Sequence, residues 1–131
     1  MLGRMEVDLE SLARQVRDVL DAYVIPEPHL AALGTPLHDA WFAAELAAMK
    51  AALVAPFWTK MRDLDPQTGK VVILRVAIVA EDSDGYLVAF DPLTKAEFVL
   101  ASREIDPEAT RGVDAVSCGV RGDAVGCFLS R

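Results

Sequence analysis

Residues 71–80 read VVILRVAIVA. At the two-residue period of a strand, Val72, Leu74, Val76 and Ile78 fall on one face and Val71, Ile73, Ala77 and Val79 on the other, so both faces are apolar. A strand of that kind needs cover on both sides and belongs in the interior of a sheet. Arg75 is the exception within it. A charge pointing inward from a central strand has to be paired with a carboxylate or to hold an anionic ligand, unless the side chain snorkels to the sheet's edge.

Outward from this strand the same period recurs at about 57–63, 86–91 (from YLVAF), 97–101 (EFVLA) and 113–120. The connections DPQTG (65–69), DPLTK (91–95) and DPEAT (106–110) share an Asp-Pro opening. Asp followed by Pro presets the bend of a type I turn, so the likeness reads as hairpin punctuation and not as a ligand-binding repeat. In the closing stretch SCGVRGDAVGCFLSR (117–131), Gly122 and Asp123 suit the centre of a type II′ hairpin turn. That turn would pair Val120 with Val125, Cys118 with Cys127 and Val116 with Leu129, all on one face, and make a sixth strand of 124–130.

The N-terminal third has the helical period instead. Within about 7–24, Leu9, Leu12, Val16, Val19, Leu20 and Tyr23 share one face, with Glu10, Arg14, Arg17, Asp18 and Asp21 opposite. Pro26 and Pro28 end it, and HLAALG (29–34) closes on Gly34. A second helix, about 36–54, carries Phe42, Leu46, Met49 and Leu53 as one stripe and Ala40, Ala44, Ala47, Ala48, Ala51 and Ala55 as the other. The large stripe suits a sheet. The alanine face suits close approach by another helix, either residues 7–24 of the same chain or a second subunit. The expected fold class is therefore α+β: two long N-terminal helices packed on an antiparallel meander sheet of about five or six strands, in a single domain spanning 1–131. With a curved sheet this architecture is similar to nuclear-transport-factor-like and cystatin-like folds, where helix and sheet enclose a cone-shaped pocket.

Composition narrows the function classes. The 131 residues carry a formal charge of −7, with the basic residues scattered, which disfavours nucleic acid as a partner and favours a basic protein. Mean hydropathy is high at +0.27. Yet the longest apolar run, AALVAPFW, is far below the roughly 20 residues a spanning helix needs, and MLGRMEVDLE lacks the order of a secretory signal. A cytoplasmic location without membrane contact is the expectation. In that compartment Cys118 and Cys127 would face each other across the hairpin as reduced core thiols, about 4.5 Å apart at Cα and so within reach of a disulfide. Together with His29 and His38 they make up a zinc-type donor set, but Cys-x₈-Cys is not a zinc-knuckle spacing, so neither metal nor cofactor is expected.

No nucleophile elbow or phosphate loop occurs, and no catalytic residue is assigned. Arg75, His38, Trp58, Trp41 and Glu45 are the candidate lining of a helix–sheet pocket. The segment DSDGYLVAFDPLTKAEFVL (82–100), under a fifth of the chain, resembles a strand pair of small bacterial immunity proteins. The resemblance implies an inhibitor-like role against a basic partner. The leading expectation is thus a non-catalytic, self-associating interaction protein, probed by its oligomeric state; the alternative is a small-molecule or enzymatic pocket protein.

Overall fold

The computed structural model describes residues 8–25, 35–93, 97–104 and 113–131, with residues 35–38 described in their backbone only. The elements are α1 (Leu9–Asp21), α2 (Thr35–Ala52), β1 (Leu53–Leu64), β2 (Val71–Glu81), β3 (Tyr86–Asp91), β4 (Glu97–Arg103), β5 (Val113–Gly122) and α3 (Ala124–Leu129). The class is α+β. Five strands run antiparallel in sequence order, and the sheet closes into a barrel through a parallel pairing of β5 with β1. An open meander of helices on one sheet face is therefore corrected to a closed barrel.

The reason for closure lies in the two-sided strands. Met61, Val76, Ile78, Leu87, Ala89, Val99, Ala101 and Ala115 form one buried cluster, which fills the barrel. Three of them are alanines, small enough for strands to approach across a narrow interior. The alternate residues Ala77, Val79, Val88, Phe98 and Leu100 form a second cluster with Leu12, Val16 and Leu20 of α1, Met49 and Ala52 of α2, and Val125 and Phe128 of α3. The β2 face with Val76 and Ile78 is thus covered by the sheet curling onto itself, and the face with Ala77 and Val79 by the helices. Irregular pairing helps it bend: β1 shifts register between Leu53 and Phe57, around Pro56.

Asp8 caps α1, its carboxylate accepting from the Glu10 amide at 3.0 Å and the Ser11 hydroxyl at 2.9 Å. α1 packs on the barrel beside α2, where Tyr23 stacks on Phe42 and Lys50 pairs with Asp21 at 3.0 Å. It does not cover the alanine face. Ala40, Ala44, Ala47 and Ala51 are exposed along α2, while Phe42, Leu46 and Leu53 are half-buried and Met49 is buried.

The largest correction concerns residues 122–130. Gly122–Asp123 is no hairpin turn. Asp123 is the N-cap of α3, its carboxylate accepting from the Gly126 amide at 3.1 Å. The apolar residues there fit a helix better than a strand, because Ala124, Val125, Cys127 and Phe128 at i, i+1, i+3 and i+4 are all buried on one side. Residues 124–130 form no strand, and Cys118 does not face Cys127. HLAALG, His29 and DPEAT lie outside the described residues. No described helix is long and apolar enough to cross a membrane.

Candidate functional site: the acidic mouth of the barrel

β1 and β2 extend past their neighbours at one end of the barrel. β5 pairs with β1 only as far as Arg62↔Val116, and β3 pairs with β2 only from Ala77↔Phe90. Residues 63–72 therefore project as a two-stranded arm. Its tip is built by Asp65, whose carboxylate accepts from the Gln67 amide at 2.8 Å and whose carbonyl accepts from Gly69 at 2.7 Å; Gly69 takes φ +70°, which glycine adopts without strain. Beneath the arm lies a cleft of about 980 Å³, bounded by Arg62–Gln67, Val71, Val72 and Leu74 on one side and by Glu97, Val116–Gly119 and Arg121 on the other.

Its floor is a charge cluster. The Arg121 guanidinium donates to Asp63 Oδ2 at 2.6 Å and Asp91 Oδ2 at 3.1 Å, and lies 3.5 Å from Glu97 Oε1. The register explains the convergence: Arg121 stands opposite Val99, Asp63 opposite Val72 and Asp91 opposite Glu97, so all four polar side chains share the barrel-facing side of their strands. Asp91 is wholly buried and also accepts from the Leu93 amide at 3.1 Å. Desolvation works against the Arg121 cation, but the hydrogen bonds and charges of Asp63 and Asp91 outweigh it and raise the pKa above that of an ordinary arginine. Among the described residues, one guanidinium among three carboxylates leaves a formal charge of −2, and Asp65 at the rim adds another. Arg62 in the cleft wall is held by Glu104 at 2.6 Å. At the other end of the strands, Arg103 of β4 meets Glu81 of β2.

The pocket expected from sequence is not assembled. Arg75 is exposed on the outer face of β2, its guanidinium 4.2 Å from the Trp58 ring centre, and among the described residues no carboxylate reaches it. The inward charge expected of a central strand is thus corrected: residues 71–75 are not central, and Arg75 faces out. Trp58 is half-buried beside the helix–barrel core. Trp41 is exposed on α2, edge-on to Phe42. Glu45 instead pairs with Arg131 at 2.8 Å, and Arg131 also meets Asp82 at 3.0 Å and covers the Phe128 ring, fastening α3 to α2 and to the β2–β3 turn. His38 belongs to α2, and its side chain lies outside the described residues. Sequence reasoning missed Asp63, Asp91, Glu97 and Arg121. The available signal was that Asp65 and Asp91 open two of the three Asp-Pro connections, both at the same end of the strands.

The cysteines are separate. Cys118 and Gly119 have no counterpart on β4, since Leu100↔Val120 is followed directly by Ala101↔Ser117, and the bulge turns Cys118 to the surface at the cleft. Gly119 sits at φ +84°, with its amide donating to Ser117 Oγ at 3.0 Å. Neighbouring atoms strip enough water from the Cys118 thiol to raise its pKa, partly offset by a hydrogen bond with Ser102. Cys127 is buried in α3; burial, then the charges of Asp123 and Glu97, push its pKa up to about 11. At pH 8 a thiol reagent should take one equivalent from the folded protein and two in denaturant. Because Cys127 keeps its proton longer folded than unfolded, its contribution to stability is complete below about pH 9 and is lost as pH rises through about 11. A Cys127→Ala variant should lack that part of the alkaline fall in urea midpoint. Among the described residues no group of three or more His, Cys, Asp or Glu is placed to hold a metal ion.

Comparison with known proteins gives no match to this chain among protein-family models, curated proteins or solved structures.

Proposed function

We propose that the chain is a non-catalytic, self-associating binding protein, inhibitor-like in role, whose cleft takes a basic segment of a protein partner. The observation that carries this reading is the cleft under the β1–β2 arm, with both arginines in its walls tied to carboxylates and, among the described residues, negative charge left over. A cation entering there meets Asp63, Asp65 and Glu97 in partly water-excluded surroundings, where attraction exceeds that at an open surface. Val72 and Leu74 offer apolar contact beside them, and the whole-chain charge of −7 steers a basic partner inward. Cys118, the thiol at the cleft, has a raised pKa and so little thiolate, which favours binding over nucleophilic chemistry.

Calorimetric titration with a short peptide alternating arginine and valine tests the reading. Binding should weaken with added salt and fall at least tenfold in a variant carrying Asp65→Asn and Glu97→Gln. A peptide alternating glutamate and valine should not bind. Equal affinity for the two peptides, or for the parent and the double variant, would sink the proposal.

A further inference from the structure

β2 has two edges, and from Val71 to Val76 one of them meets no strand among the described residues: β1 takes one side, whereas β3 joins the other only at Ala77. Open edges in natural sheets are guarded by proline, by a bulge, by charges within the strand or by a covering element. This one carries Val71, Val72, Ile73 and Leu74 in a row, with Lys70 and Arg75 only at its ends. The residues of the arm's outer face are uncovered as well, with Leu64 61%, Val71 59% and Ile73 42% exposed.

We infer that this edge is the pairing surface for a second copy of the chain, the two β2 strands lying antiparallel about a two-fold axis at Ile73. The inference rests on the self-association within the proposed function and gives it a place; the cleft and its basic ligand are a separate matter. Full overlap of residues 71–75 sets Ile73 beside Ile73 and each Val71 beside Arg75 of the other copy. The four-stranded ribbon so formed joins Leu64, Val71 and Ile73 of both copies into one apolar strip on its outer face. Charge agrees with this register. The two Arg75 side chains stand about 13 Å apart along the strands, beyond a Debye length of about 8 Å, so no like charges face each other. Pairing also satisfies backbone groups of both edges, and a two-fold contact uses each edge once, closing the assembly as a dimer. The exposed alanines of α2 offer no such unpaired backbone.

Sedimentation velocity at tens of micromolar, on the parent and two variants, provides the test. The parent should be a dimer. Ile73→Lys places two ammonium groups on the axis and should raise the dimer dissociation constant at least tenfold, with the urea midpoint unchanged only at concentrations where both proteins are monomers, because Ile73 is a surface residue of the monomer. Ile73→Cys, made together with Cys118→Ser, should cross-link as a disulfide dimer under mild oxidation, since residues paired on the axis lie about 4.5–5.5 Å apart at Cα. A monomeric parent overturns the edge and the self-association together. A dimer that survives Ile73→Lys overturns the edge alone and moves the contact to another face. Loss of the dimer in Ile73→Lys without cross-linking of Ile73→Cys overturns the axis at Ile73. All of these outcomes are read without the arginine–valine peptide, so the cleft reading stands or falls on its own titration.

Discussion

Arg121→Met should destabilise the protein by about 3 kcal/mol, the lower end of the range for breaking a buried ion pair, because the guanidinium is about a quarter exposed. The substitution keeps the length of the side chain and removes the charge that Asp63, Asp91 and Glu97 share. What then costs stability is mutual repulsion of three carboxylates, one of them wholly buried. Adding Asp91→Asn and Asp63→Asn to Arg121→Met should recover most of the loss, whereas the two Asn substitutions alone should not stabilise. Urea unfolding of the four proteins separates these outcomes. A single variant as stable as the parent would mean that the cluster does not hold the barrel mouth together.

Phe128→Ala should cost about 3–5 kcal/mol, the usual range for emptying a core phenylalanine site. Phe128 is buried in the cluster between the barrel and all three helices, and its ring supports Arg131, which fastens α3 to Glu45 and Asp82. In the hairpin reading of 117–131, residue 128 falls on the face opposite Cys127 and Leu129, where truncation to alanine would cost well under 1 kcal/mol. Thermal or urea unfolding of this one variant therefore decides between strand and helix. Gly126→Ala gives a smaller companion effect, because a Cβ there would meet Asp123 Oδ1 at 2.6 Å and displace the cap.

The strand periods at 57–63, 71–80, 86–91, 97–101 and 113–120 fall within β1 to β5, because alternation over five or more residues is a local property. Closure was not local. An apolar second face on 71–80 asked for cover, and sequence alone does not distinguish a second subunit from the sheet's own curl. Residues 124–129 failed for a different reason: Val125, Cys127 and Leu129 alternate as a strand would, while Ala124, Val125, Cys127 and Phe128 also fit a single helical turn. The N-cap geometry of Asp123 decides, and an Asp after Gly serves a turn equally well. A strand central along its whole length would bury Arg75, yet β3 joins β2 only from Ala77, which leaves 71–75 with one neighbour among the described residues. The cleft was illegible because Asp63, Asp91, Glu97 and Arg121 come from four different strands and meet only through register.

The central claim is that the barrel mouth, and not a helix face, binds a basic segment. Amide chemical shifts followed during titration with the arginine–valine peptide test it most directly. Shifts should concentrate at Leu64, Asp65, Gln67, Ser117, Gly119 and Arg121, leaving Arg14, Val19, Ala44 and Ala47 on the helices unmoved. Shifts confined to the helices, or spread over every acidic part of the surface, would contradict it.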